Sequence, residues 1–132
     1  MKLLLDTQIF IWFQLNDAQL PNHIRKLIED PTNDVFVSCL SFMEITIKQT
    51  VNRLPTFPVL TEELIDKAEA DGFDLVSVSL SHIAAYRRIP FFDDHRDPFD
   101  RLILATALAE QMSIISADEK FSRYRDVIDI IW

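Results

Sequence analysis

Glycine occurs once in these 132 residues, at position 72. That scarcity excludes a glycine-rich phosphate loop and the glycine fingerprint of dinucleotide-binding folds, which need several positions where bare backbone approaches a phosphate. Cysteine also occurs once, as Cys39. An internal disulfide framework and a cysteine-rich zinc site are therefore excluded, and a lone thiol suits a reducing cytosol. The three histidines, His23, His82 and His95, are scattered without metal-ligand spacing. Positive charge is short as well: 13 Lys and Arg against 21 Asp and Glu leave a net charge of −8. Such a balance argues against a broad, sequence-independent grip on nucleic acid. It does not forbid a nucleic-acid substrate, because carboxylates loaded with divalent cations reverse the local sign. No stretch of about 18 residues is free of charge, so no membrane span is expected. The opening Met-Lys-Leu-Leu-Leu-Asp has no signal-peptide h-region, and the chain reads as cytoplasmic.

What is present is enough for a core. Hydrophobic residues make up 48% of the chain, which weighs against disorder, and the length suits one domain spanning 1–132. Short apolar runs at residues 2–5, 35–37, 74–78 and 113–115 read as strands, with 127–132 as a further edge strand. Helical spacing marks residues 8–15, about 20–29, 61–71 and 81–88. Ser41-Phe42-Met43-Glu44 reads as a capping box opening a helix that runs to about Asn52, and Gly72 reads as the end of the helix before it. Strands alternating with helices predict an α/β fold with a mainly parallel central sheet.

The most informative stretch is Asp97-Pro98-Phe99-Asp100-Arg101, followed by residues that are apolar or small on nearly every side. Asp97 reads as an N-cap and Pro98 as the first helical residue, where a missing N–H costs nothing. Asp100 then falls at the third helical position, near the positive end of the dipole. The helix that follows is predicted to be buried.

In an open parallel sheet, sites form beyond the carboxyl ends of the strands. Asp6 follows the first strand. Glu44 is placed in the first turn after the second, Asp100 in the first turn of the long helix, and Asp118 just past the strand 113–115. Each has a local explanation: Asp6 as a cap, Glu44 as the partner of Ser41, Asp100 as a dipole acid. Asp118 is harder to dismiss, because Glu119 would serve a cap at Ser116 better. Carboxylates gathered in one crevice repel and call for a counter-charge, most simply hard, oxygen-preferring Mg²⁺ or Mn²⁺.

On Leu-Leu-Asp6-Thr7, Glu44, the run His95-Arg96-Asp97-Pro98-Phe99-Asp100-Arg101 continuing into Ala105-Thr106-Ala107, and Ser116-x-Asp118, the chain resembles PIN-domain ribonucleases of the VapC toxin type. The resemblance spans essentially the whole chain. It implies a three-layer α/β/α sandwich around a sheet of about five strands. It also implies that Asp6, Glu44, Asp100 and Asp118 form a catalytic, metal-binding quartet. Thr7, Asp97, Arg101 and Ser116 would stand around the substrate or behind the ligands, with Asp97 assisting or only capping. The resemblance further implies cleavage leaving a 5′-phosphate and a 3′-hydroxyl, a covering antitoxin and a homodimer. The loop Phe91-Phe92-Asp93-Asp94 departs by adding acids on the way to the motif.

The resulting expectation is Mg²⁺- or Mn²⁺-dependent hydrolysis of RNA phosphodiesters. Asp6 and Asp100 are the expected direct ligands, while Glu44 and Asp118 ligate or act as base or orienter. Arg96, Arg101 and Lys120 are candidates for holding phosphates or for structural salt bridges. Two alternatives stand beside this. Asp6 after an N-terminal strand also suits an aspartyl-phosphate phosphatase or receiver domain, although Gln8 stands where such phosphatases want a second Asp. A non-catalytic PIN-like binding module would instead use Phe10, Trp12, Phe13, Ile24 and Ile28 as a partner groove.

Overall fold

Leu3, Leu4 and Leu5 have no solvent exposure. They form most of β1 (Lys2–Leu5), the middle strand of a five-stranded sheet in the order β3-β2-β1-β4-β5. The computed structural model describes all 132 residues. After β1 come α1 (Thr7–Leu15), α2 (Asn22–Glu29), β2 (Asp34–Ser38), α3 (Cys39–Thr50), α4 (Thr61–Ala70), β3 (Asp74–Val76), α5 (Leu80–Tyr86) and α6 (Pro98–Glu110). The chain ends with β4 (Ser113–Ile115), a 3₁₀ helix (Glu119–Tyr124) and β5 (Ile130–Ile131). Every strand pair is parallel.

The period-two rule of a strand splits the core into two halves. Leu3, Leu5, Val35, Val37 and Ile115 face one side, packed with residues from α1 to α4 such as Ile9, Phe10, Ile45 and Leu64. Leu4, Ile114 and Ile130 face the other, against Ile103, Leu104 and Ala107 of α6 and Phe121 and Tyr124 of the 3₁₀ helix. Helices thus cover both faces, as an all-parallel sheet requires. This is the three-layer α/β/α sandwich that the resemblance implied.

Register positions the site. Leu5 pairs with Val37 on β2 and with Ile115 on β4. The next residues, Asp6, Ser38 and Ser116, therefore form a row at the carboxyl edge. From β1 the chain winds outward through β2 to β3, then returns to β4 on the opposite side. The gap between β1 and β4 is the topological switch point, where such sheets place ligands.

Local chemistry sets the helix ends. Asp97 caps α6 by accepting from the backbone N–H groups of Phe99 (2.8 Å) and Asp100 (3.3 Å), with Pro98 at the first helical position. Gly72 adopts φ +89° after α4, and its N–H and that of Phe73 donate back to Glu69 and Ala68. This is the paired-bond helix ending that favours glycine.

Several boundaries differ from the sequence expectation. Helix α3 begins at Cys39, with Ser38 as the cap accepting from the N–H of Leu40, so Ser41-Phe42-Met43-Glu44 is not a capping box. Ser38 sits at the strand's end, where its hydroxyl reaches the free N–H groups first. Glu44 consequently lies in the second turn of α3. Helix α5 runs over Leu80–Tyr86, capped by Ser79. Strand β5 is only Ile130–Ile131, because the N–H groups of Val127 and Ile128 turn back to the carbonyl of Tyr124. Of the proposed groove residues, Phe10, Ile24 and Ile28 are core, while Trp12 and Phe13 are half-buried.

Candidate active site

Asp6 occupies the N-cap position of α1, yet its side chain makes no capping bond. Its carboxylate Oδ2 instead accepts a hydrogen bond of 2.7 Å from the Ser116 hydroxyl, across the switch point. The same Ser116 oxygen accepts from the backbone N–H of Asp118 at 3.1 Å, so one hydroxyl ties β4, Asp118 and Asp6 together. Asp6 is 8% exposed. Burial pushes its carboxyl up from 3.8 to about 7; the Ser116 hydrogen bond opposes the rise, and the charges of Asp100 and Glu44 add to it.

Glu44 reaches the site from α3. Its Oε1 accepts from the Thr7 hydroxyl at 3.2 Å, and Thr7 Oγ1 lies 2.8 Å from the buried Ser41 hydroxyl. Its Oε2 pairs with Lys48 Nζ one turn on, at 3.0 Å. The Thr7–Ser41 contact locks α1 against α3 and holds Glu44 beside Asp6.

Asp100 comes from the first turn of α6. Burial raises its carboxyl above the usual range, His95 draws it back down by hydrogen bonding, and Asp97 and Glu44 push it up. His95 Nε2 stands 3.0 Å from Asp100 Oδ2, and His95 Nδ1 stands 2.7 Å from the Tyr124 hydroxyl. His95 was passed over in the sequence because it matches no metal-ligand spacing. Its only signal was its place five residues before Asp100 in the motif run. Asp118 does cap the 3₁₀ helix, accepting from the N–H of Lys120 at 2.9 Å, so the local explanation withheld from it in the sequence applies after all.

Asp6, Glu44, Asp97, Asp100 and Asp118 line one open cavity of about 440 Å³, together with Lys48 and the half-buried Trp12. All five candidate acids thus share one crevice, opposed by a single ammonium that is already paired with Glu44. The cavity holds more negative than positive charge, and the charges of Asp100 and Glu44 add to the rise that burial gives the Asp6 carboxyl. The donor set is all hard oxygen, which suits Mg²⁺ or Mn²⁺ and not a soft metal. No three His, Cys, Asp or Glu side chains converge closely enough to enclose an ion by themselves.

The arginines weighed for phosphates or for structural salt bridges lie outside the cavity. Arg101 is buried and donates to the carbonyls of Pro90 (2.9 Å) and Ile89 (3.1 Å), with its guanidinium over the Tyr86 ring. It is neither at the cavity nor in a salt bridge. Arg96 pairs with Asp93, and Arg123 with Asp94, so the extra acids of the preceding loop are matched by exposed cations outside the cavity.

The fold and the site together define a class: an α/β sandwich with a five-stranded parallel sheet and acids gathered in a cavity at its switch point. The particular family follows from the sequence: the PIN domain family model matches residues 3–127, and the chain belongs to that family. No curated protein matches it in sequence. Among solved structures it is similar to VapBC2 from Rickettsia felis bound to a promoter DNA fragment, with a TM-score of 0.70 and 14% identity, covering 99% of this chain and 98% of that one. DNA-bound VapBC from Salmonella typhimurium gives a TM-score of 0.69 and 16% identity, covering 99% and 97%. FitAB bound to a DNA fragment gives 0.66 and 19%, covering 98% and 93%. At these identities the likeness is one of fold. No helix is long and apolar enough to cross a membrane.

Proposed function

We propose that this chain is a divalent-metal-dependent endoribonuclease, one PIN domain acting as the toxin of a toxin–antitoxin pair. The observation that carries the reading is that Asp6, Glu44, Asp100 and Asp118, from separate elements, line one cavity, where burial foremost and neighbouring acids in addition raise the carboxyls of Asp6 and Asp100. Family membership supports a nuclease over an aspartyl-phosphate enzyme.

Asp6 and Asp100 would hold Mg²⁺ or Mn²⁺, with Glu44 and Asp118 completing the shell through bound water. When bound, the ion neutralises charge on the scissile phosphate and makes water a better nucleophile. Ser116 and Thr7 keep Asp6 and Glu44 oriented through their hydroxyls. Asp118, at the exposed rim, is the carboxylate best placed to accept the proton of an attacking water. The new oxygen–phosphorus bond would form as the bond to the 3′-oxygen breaks, and that oxygen would take a proton from water at the open mouth of the cavity, giving a 5′-phosphate and a 3′-hydroxyl. Asp97 remains chiefly a cap.

One solved neighbour is by its name a toxin–antitoxin complex from Klebsiella pneumoniae, which supports an antitoxin partner for this chain; a homodimer and a cytoplasmic site of action belong to the same proposal. The test is cleavage of cellular RNA by purified protein with Mg²⁺ or Mn²⁺, with EDTA, and with Asp6→Asn and Asp100→Asn, followed by sequencing of the ends. Loss of cleavage with chelator and in both variants is expected. Undiminished cleavage in both variants would assign the activity to a contaminant and refute the reading.

A further inference from the structure

Around Asp100 lies a buried chain of polar groups that the hydrolytic step does not use. His95 is 3% exposed, and its ring lies tilted against Phe121 (5.8 Å between centroids) and Tyr124 (5.6 Å). Its backbone N–H donates to the carbonyl of Phe92, so the segment that carries it is pinned. Tyr124 has no solvent exposure and packs edge-on against Phe92. A neutral imidazole protonated at Nε2 satisfies every group: the Tyr124 hydroxyl donates to Nδ1, and Nε2–H donates to Asp100 Oδ2. Oδ1 of Asp100 takes no hydrogen bond from the protein, and Asp100 lines the acidic cavity.

We infer that Tyr124 and His95 form a positioning relay that holds the Asp100 carboxylate in the one orientation that presents Oδ1 to a divalent cation. The inference rests on the metal-dependent reading above and adds residues to it. Two features separate this arrangement from core packing. Buried His82 also satisfies both ring nitrogens, but its Nε2 meets Glu110 outside the cavity, whereas His95 spends its Nε2 on a carboxylate that lines the cavity. The relay also links three independently placed pieces of chain: the loop before α6, α6 itself and the 3₁₀ helix. A side chain at the start of a helix, with a shallow, half-exposed environment, otherwise samples several rotamers. Fixing one oxygen through a buried ring removes that freedom before the ion arrives, and partners of ligating carboxylates commonly set metal affinity in this way.

The experiment measures Mn²⁺ affinity directly, by calorimetry and by paramagnetic resonance of the free ion, with folding checked by circular dichroism. The chains compared are wild type, Asp100→Asn, His95→Leu, His95→Gln and Tyr124→Phe. Wild type is expected to bind and Asp100→Asn to lose binding. His95→Leu should weaken Mn²⁺ binding by about 10- to 100-fold. His95→Gln places an amide N–H near the position of Nε2 and should recover most of that loss, while Tyr124→Phe should show a smaller loss with its ring packing intact. Should the leucine variant fail to fold, the glutamine and phenylalanine variants decide: wild-type affinity in Tyr124→Phe together with a full loss in His95→Gln overturns the relay. Folded His95→Leu with wild-type affinity overturns it as well, and leaves the metal reading standing. A wild type that binds no Mn²⁺ overturns both.

Discussion

Replacing Asp6 by Asn should stabilise the metal-free fold, although it should destroy the proposed activity. Asp6 is buried and surrounded by acids, and its carboxyl is raised from 3.8 to about 7. The sign follows from proton binding. Between those two values the folded chain keeps the proton while the unfolded chain has lost it. Stability attributable to Asp6 is therefore fully present below pH 3.8 and is lost as pH rises through about 7. At 1.36 kcal/mol per pH unit, the loss is about 4 kcal/mol above pH 7. Asparagine carries no charge and pays none of it. It can still accept from Ser116, and because the carboxylate's stronger bond there is already part of the raised value, the gain stays at about 4 kcal/mol at pH 8. At pH 4 the two chains should be nearly equal. Urea unfolding in EDTA, at pH 4 and pH 8, measures both differences. Adding Mn²⁺ should reverse the order at pH 8, because the ion favours the ionised carboxylate that only wild type provides. An Asp6→Asn chain no more stable than wild type at pH 8, or a gain equal at both pH values, would refute the electrostatic account of the cavity.

Other outcomes follow from single contacts. Asp97→Ala should lower stability by about 1 kcal/mol through loss of the α6 cap, whereas Asp97→Asn should cost only a few tenths; thermal unfolding separates them. Gly72→Ala should cost about 1–2 kcal/mol, since φ is +89° there while no atom lies within 4 Å of an added Cβ, so the penalty is backbone strain and not collision. Arg101→Met should leave the buried carbonyls of Ile89 and Pro90 without a donor and destabilise the chain by about 2–3 kcal/mol. With folded protein compared at equal concentration, RNA affinity measured by filter binding should stay near wild type, because the guanidinium does not reach the cavity.

How much of this was legible beforehand depends on how local the cause is. The cap at Asp97, the proline after it and the break at Gly72 act within one helical turn, and each was readable from adjacent residues. So was the parallel α/β architecture, because buried strands must be continuously apolar and the helices between them must cover both faces. The order of acids along the chain was readable too, as a resemblance to the PIN family. The start of α3 was misplaced because two serines compete for the same task, and only the end of β2 decides that Ser38 takes it.

The amino-acid order by itself determined which elements form and in what order, which residues are apolar on which period, and how acidic the chain is. Only the tertiary structure decided that Asp6 forgoes capping to meet Ser116, that Arg101 turns inward, and that His95 leans on Asp100. The physical reason is that hydrogen bonding and burial are settled between partners distant in sequence, 110 residues apart for Ser116 and Asp6. A carboxylate's neighbours along the chain describe its options, while the fold alone sets its electric field.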